Sequence, residues 1–440
     1  MPQTEYLNDL FTFINHSPTP FHVVVNSAAL LSAQGFQHLH ESDSWQHLAP
    51  GGYYVIRNDT SLIAFTLTDS PHEGLHLRMA GAHTDSPVLK VKPNPIQLHH
   101  TCLQLGVEVY GGALLAPWFD RNLSIAGRVS WICKDGPLQC SLIDFKRPVA
   151  TIPSLAIHLD REVNAKRTID KQTDLVPLIM QSEEDVVPDF KTILKTQLLM
   201  EHPAVTGAEI IDYDLFLYDT QPLCRVGLNG EFITGSRLDN LLSCHTLLRA
   251  LIQSANRQDC LIVLNDHEEV GSVSTSGAQG PFLKNVLERL FPDPEHRQQV
   301  LTHSLFVSVD NAHAVHPNFA AKHDPEHLPL LNQGPVIKLN ANQRYATNGL
   351  TAGLFRLFCK KAGVPCQQFV MRNDLACGST IGPLTAAEIG VPTVDIGVPQ
   401  LAMHSIRETA GHLDGWYLMQ AMATFFAEPA ASIHCPEIAS

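Results

Sequence analysis

Seven side chains in this sequence could act together as a hydrolytic metal centre. They are His83 and Asp85 in GAHTDSP, Asp239 in SRLDN, Glu268 and Glu269 in DHEEVGS, Asp310 in VDNAH, and His404 in QLAMHS. Imidazole and carboxylate ligands suit zinc or manganese, and a carboxylate such as Asp239 can bridge two cations and lessen their repulsion. His83 and Asp85 stand two positions apart, so in an extended segment both project to one side. Asp85 could then hold the His83 ring by a hydrogen bond. Glu268 and Glu269 are adjacent and point to different sides of an extended chain. One can ligate a cation while the other manages the proton of a bound water, the division that metal-assisted hydrolysis requires. Residue type alone does not say which is which.

Each residue taken singly has a plainer reading. A His after a strand is commonly a satisfied structural residue, and a Glu-Glu pair is commonly a solvated loop. Asp239 at a helix start could be an N-cap or a first-turn residue favoured by the helix dipole, and Asp310 before Asn311 a turn residue. His313, His316, His323 and His327 imitate a HxxxH zinc motif, but Pro317 and Pro325 argue against the helix it needs. The order His, Asp, Glu-Glu, Asp, His, each at a strand end or helix start, is what single readings leave unexplained.

The elements that must position these groups alternate. The segment from Glu5 to about Ala33 has helical periodicity, split at Ser17-Pro18-Thr19-Pro20. An alternating run from Leu75 to Ala80 reads as a strand ending in a polar loop. Beyond residue 235, SRLDNLLSCHTLLRALIQS, LTAGLFRLFCKKAG and IGPLTAAEIG read as helices. CLIVLNDHEEVGS, HSLFVSVDNAH and VPTVDIGVPQLAMHS read as strands running into loops. This alternation predicts an α/β/α sandwich around a largely parallel sheet, with ligands beyond the carboxyl ends of its strands. Residues 94–232 differ: short runs such as LQLGVEVYGG, RVSWIC and FLYDTQ, separated by turns, predict an inserted mainly-β module. The expected division is therefore a discontinuous catalytic domain, 1–93 and 233–440, interrupted by a β-rich assembly domain, 94–232.

The chain has 440 residues, enough for two domains, with 44% hydrophobic and 17% charged residues, as in ordinary globular proteins. A formal net charge of −14 without a long basic block disfavours nucleic acid or an anionic membrane as partner. No run approaches the roughly 18 apolar residues of a membrane span, and MPQTEYLNDLF has no basic region followed by an apolar one, so a cytoplasmic protein is expected. The ten cysteines form no CxxC pair, and Cys244, Cys260 and Cys359 stand in apolar surroundings, which predicts buried thiols rather than a disulfide frame.

GAHTDSP, SRLDN, DHEEVGS, VDNAHAVHPN, GPVIKLNANQRYATN, RNDLACGSTIGP and QLAMHSIRE together resemble the aspartyl aminopeptidase family, over nearly the whole chain. The resemblance implies two divalent metal ions per subunit, zinc above all, with manganese and cobalt also suited to the ligands. His83, Asp239 and Asp310 would hold one ion and Asp239, Glu269 and His404 the other, with Glu268 as general base and Asp85 orienting His83. It implies removal of N-terminal Asp, and often Glu, from peptides with a free α-amino group. Lys338 in GPVIKLN would be the cation that meets the acidic side chain, with Tyr345 close to the reacting carbonyl. Lys338 taken alone reads as an edge-strand lysine reaching solvent. His158 in IPSLAIHLDREVN matches a histidine supplied to a neighbouring subunit, implying a homo-oligomer built from dimers and commonly dodecameric. The rival readings are a broad-specificity aminopeptidase or N-acyl amino acid deacylase on the same scaffold, and a silent scaffold that has lost its chemistry.

Overall fold

The computed structural model describes residues 1–68, 76–134, 136–182, 187–255 and 258–428. Its largest sheet has nine strands in the spatial order Gln37–His38, Gly51–Arg57, Ser61–Leu67, Cys260–Asn265, Arg78–His83, Leu305–Val309, Thr393–Gly397, Val336–Leu339 and Gln367–Val370. Arg78–His83 lies parallel to Cys260–Asn265 on one side and to Leu305–Val309 on the other, and Leu305–Val309 lies parallel to Thr393–Gly397. The sheet is mixed overall, because Ser61–Leu67 pairs antiparallel with both its neighbours and Val336–Leu339 runs antiparallel to Thr393–Gly397. The expected strand from Leu75 begins at Arg78, and Leu75 itself lies outside the described residues.

Side chains alternate across each strand and so feed two cores. Leu62, Ala64, Ile262 and Leu264 face a cluster formed with helices Gln3–Asn15, Pro20–Ser32, Leu238–Ser254, Gly349–Ala362 and Asp414–Ala427. Ile63, Phe65, Leu261 and Val263 face the opposite cluster, formed with Phe282–Leu290, Pro294–His303 and Ile381–Ile389. Helices on both faces of a sheet buried on both sides make the expected three-layer α/β arrangement. Helix ends follow local chemistry: Asn348 closes a capping box on Gly349–Ala362, and Gly363 ends that helix with φ 67°.

A second sheet of six strands is antiparallel and draws on Val88–His99, Cys102–Tyr110, Leu123–Ile132, Gln139–Asp144, Leu178–Gln181 and Glu209–Asp219. Its own core includes Leu105, Trp118, Ile125 and Leu215, and the helix Phe190–Glu201 packs there. Its first strand begins at Val88, ahead of the expected boundary at 94. At the other end, Cys224–Val226 pairs with Phe232–Gly235 in a third sheet rather than with the β module. That third sheet also takes Glu408–Gly411, Pro399–Leu401 and Ala312–His313, so it ties together the segments that follow Asp310 and flank His404.

Candidate metal centre

The central parallel strands end at one place, and the charged side chains gather there. His83 closes its strand and is fully enclosed, with Nε2 3.4 Å from Asp239 Oδ1 and 3.5 Å from Asp310 Oδ1. Asp310 follows Leu305–Val309 directly. Gly397 is needed beside it, since a Cβ there would sit 1.8 Å from the Asp310 carbonyl oxygen. On the other side of Asp239, His404 Nε2 lies 3.7 Å from Asp239 Oδ2 and 3.4 Å from Glu269 Oε2. One oxygen of Asp239 therefore faces His83 and the other faces His404.

Asp239 falls in the first turn of its helix and not at the N-cap, which is Arg237. Arg237 ahead of it has φ 60°, and neither Asp239 (φ −84°, ψ 106°) nor Asn240 (φ −125°, ψ 26°) is helical, so the first turn of Leu238–Ser254 is irregular. That geometry turns the carboxylate inward, where it is buried. Glu268 and Glu269 are not extended either. They form a short 3₁₀ turn, Glu268–Val270, entered through His267 at φ 65°. With about three residues per turn, adjacent side chains on such a turn still diverge by roughly 120°, which keeps the two carboxylates in separate directions.

Asp85 does more than face its histidine. His83 Nδ1 lies 3.0 Å from the Asp85 backbone carbonyl and 3.4 Å from its Oδ1. The carboxylate meanwhile accepts from Glu268 N (3.1 Å), Glu269 N (3.1 Å) and Tyr110 Oη (2.7 Å). Asp85 thus fixes both the ring and the Glu-Glu turn.

Lys338 is buried, and its strand lies between two others, so the edge-strand reading fails. Its Nζ is 3.5 Å from Asp310 Oδ2 and 5.5 Å from the centre of the Tyr345 ring. Tyr345 packs with Ala312, Val336 and Phe369. His158 is not brought to this centre. It lies in an exposed turn of the β module beside exposed Leu155, Ile157 and Leu159.

The electrostatics are those of a site built for cations. Burial disfavours a charged His83, yet the carboxylates of Asp239, Asp310 and Asp85 outweigh it and raise its pKa well above the usual value. Burial, with the neighbouring carboxylates, pushes Glu268 up to about 8 and Glu269 well up. Asp310 goes the other way, because Lys338 and then His83 overcome its burial. Burial, helped by Cys377, raises the Tyr345 phenol and keeps it protonated. Asp239 Oδ1 and Glu269 Oε1 are buried without a hydrogen-bond partner, a costly state that cations would relieve. The ligand atoms fit such ions: His83, Asp239 and Asp310 form one cluster and Asp239, Glu269 and His404 another, each within 4.8 Å. Among the described residues, the surplus histidines 313, 316, 323 and 327 enter no such cluster.

Two contributions escaped sequence reasoning. Glu408 stands inside QLAMHSIRE, and only its four-residue offset from His404 marked it; its buried carboxylate accepts from Asp239 N at 2.9 Å and His404 N at 2.8 Å. Tyr110 and Gly112 come from the β module, and Gly112 O lies 3.2 Å from His404 Nδ1. No local pattern in the sequence announces those long-range contacts.

The sequence model of the aminopeptidase I zinc metalloprotease family, M18, matches residues 13–426. A probable M18 family aminopeptidase 2 from Ectopseudomonas mendocina (strain ymp) is 53% identical over 425 residues, 97% of this chain and 99% of that protein. The protein of the same description from Pseudomonas aeruginosa (strain UCBPP-PA14) is 53% identical over 426 residues, 97% of this chain and 99% of its own. Among solved structures, the Ape4 and Nbr1 complex superimposes with TM-score 0.92 at 37% identity, covering 97% of this chain and 86% of that one. The S. cerevisiae mApe1 dodecamer gives TM-score 0.83 at 29% identity, covering 96% of each. With its fold, its carboxylate and histidine clusters and these relatives in agreement, the chain belongs to the M18 family of zinc aminopeptidases and is a metallo-exopeptidase.

Proposed function

We propose that this aminopeptidase removes N-terminal acidic residues, Asp and then Glu, from peptides with a free α-amino group, using two cations that share Asp239. The observation that carries this reading is the division of Asp239, with Oδ1 toward His83 and Oδ2 toward His404. His83, Asp239 and Asp310 would hold one ion, and Asp239, Glu269 and His404 the other. Zinc, when bound, lowers the pKa of coordinated water and polarises the scissile carbonyl.

The chain's own groups do the rest. Glu268, anchored through its backbone N–H to Asp85, takes a proton from the attacking water and returns it to the leaving amine. Tyr345 donates its hydroxyl hydrogen to the carbonyl oxygen as negative charge develops there. Lys338 receives the substrate's side-chain carboxylate. Lys338 pairs with Asp310 Oδ2 at 3.5 Å, but that aspartate also faces His83 and would hold a cation. A substrate carboxylate would therefore complete the surroundings of the buried lysine, which supports an acidic P1 residue. Asp85 holds the Glu-Glu turn and the His83 ring together. His158, exposed with three apolar neighbours on the β module, is assigned to the active site of an adjoining subunit. The dodecameric mApe1 neighbour supports a homo-oligomer; residues 94–232 are assigned as its assembly domain, and the cytoplasm as its compartment. Among the described residues no helix is long and apolar enough to cross a membrane.

Lys338→Ala tests the specificity. It is expected to cut kcat/KM on N-terminal Asp substrates by about 10²-fold or more, the loss expected when a desolvated charge partner is removed, and to spare Ala substrates. An equal loss on both would remove Lys338 from the specificity pocket.

A further inference from the structure

We propose that Glu408 is the positioning residue for the His404 half of the metal centre, tying the backbone of that histidine to the backbone of the bridging Asp239. The inference rests on the ligand assignment above. Glu408 is buried, and no lysine or arginine pairs with it by direct ion pair among the described residues. Its two oxygens are divided: Oε2 accepts from Asp239 N at 2.9 Å, while Oε1 accepts from His404 N at 2.8 Å and from Gln400 Nε2 at 3.3 Å. A buried carboxylate is retained where such charge-assisted bonds fix a geometry.

The two ligand segments differ in what else holds them. Asp239 is also secured by Ser86 Oγ, which donates to its carbonyl oxygen at 2.7 Å. The residue before it is secured by Asn311 Nδ2, which donates to Leu238 O at 2.9 Å. Asn240 Nδ2 donates to Val309 O at 2.8 Å, next to Asp310. The His404 segment is held differently: Leu114 N donates to His404 O at 2.9 Å, Ser405 N to Ala402 O at 3.0 Å, and Ser236 Oγ to Ile406 O at 2.7 Å. His404 sits in a loop at φ 68°, after Ala402 at φ 55°, in the left-handed region that histidine and alanine seldom occupy. Beyond the β-module contacts at Gly112 and Leu114, its backbone N–H is fixed by Glu408. Gln400 extends the link, because its Oε1 accepts from Asn311 Nδ2 at 2.8 Å. A buried line thus runs from the residue after Asp310, through Gln400 and Glu408, to His404 and Asp239. Removing Glu408 should release His404 while leaving the His83, Asp239 and Asp310 cluster largely in place.

The test is zinc titration of the metal-free full-length protein by calorimetry, with the melting temperature of the metal-free form measured alongside. His404→Ala identifies the site that histidine serves. Glu408→Gln presents an acceptor to only one of the two N–H groups, so the dissociation constant of that same site is expected to rise about 10–100-fold, the usual effect of removing an outer-shell partner of a ligand. The other site should stay near its wild-type value. Gln400→Met, which keeps volume and leaves Glu408 in place, should shift the same site in the same direction by less. Wild-type zinc affinity at both sites in Glu408→Gln and Gln400→Met overturns the proposal, as does an equal loss at both sites accompanied by a lower melting temperature. If His404→Ala itself leaves both constants unchanged, the ligand assignment fails first and the role of Glu408 falls with it.

Discussion

At the residue scale, two adjacent glutamates, Glu268 and Glu269, share one short turn beside His83 and are proposed to do different work. Both lie within reach of His83, and Glu269 also reaches His404, while burial pushes the Glu268 pKa up to about 8. Nearby cations would draw that value down toward neutrality, where a general base works best. Glu268→Gln is expected to keep its zinc content and lose about 10²–10⁴-fold in kcat, the usual contribution of a positioned acid–base group. Zinc analysis beside steady-state kinetics on one preparation checks it, and near wild-type turnover would remove Glu268 from that role. The candidate residue types and their order were legible in the sequence, because His83 and Asp310 stand at strand ends and His404 in the loop just after Pro399–Leu401. Their division of labour came from family resemblance, since a 3₁₀ turn and an extended chain both separate neighbouring side chains. Glu408 was not legible: a carboxylate whose partners are mainly backbone N–H groups brought together by the fold has no signature of its own.

At the element scale, the helices Leu238–Ser254, Gly349–Ala362 and Ile381–Ile389 and the parallel strands Cys260–Asn265, Leu305–Val309 and Thr393–Gly397 were readable from periodicity, whereas the helices Phe282–Leu290, Pro294–His303 and Asp414–Ala427 were not read. The irregular first turn of Leu238–Ser254 was not readable either, because it depends on what Asp239 meets rather than on local preference. The N-terminal helix Gln3–Asn15 shows a separate device. Asp9 on it accepts from His245 Nε2 and Arg249 Nε, each at 2.5 Å, on the helix that carries Asp239. Burial alone would raise the Asp9 pKa, but His245 and Arg249 outweigh it and bring it to about 2. A carboxylate depressed from an unfolded value of about 3.9 contributes stability above that pH and loses it as pH falls toward 2. Asp9→Asn should therefore lower the melting temperature at pH 7 and flatten its decline between about pH 4 and 2. Thermal unfolding across that range decides the matter; an unchanged acid limb would mean the helix is held by its apolar contacts alone.

At the scale of the whole molecule, the β module is part of the site rather than an appendage. Tyr110 holds Asp85, and Gly112 approaches His404, so the segment that carries the six-stranded sheet also lines the candidate metal centre. The sequence suggested a change of texture near residues 94 and 232; in the structure the strand Val88–His99 of the six-stranded sheet already begins shortly after the loop that follows His83. His158 adds a prediction that spans subunits. His158→Ala and Glu268→Gln should each be nearly inactive, while co-assembled mixtures should recover activity, since a chain with an intact Glu268 would receive His158 from its neighbour. Mixtures no more active than the sum of their parts would confine His158 to its own protomer or remove it from catalysis.

The most direct measurement is hydrolysis of N-terminal Asp, Glu, Leu and Ala chromogenic amides by the wild-type protein, before chelation, after chelation and after return of zinc. The account predicts cleavage of Asp and then Glu substrates that is abolished by the chelator and restored by zinc, with Leu and Ala substrates far behind. Zinc-dependent cleavage that favours Leu or Ala would contradict the acidic pocket around Lys338.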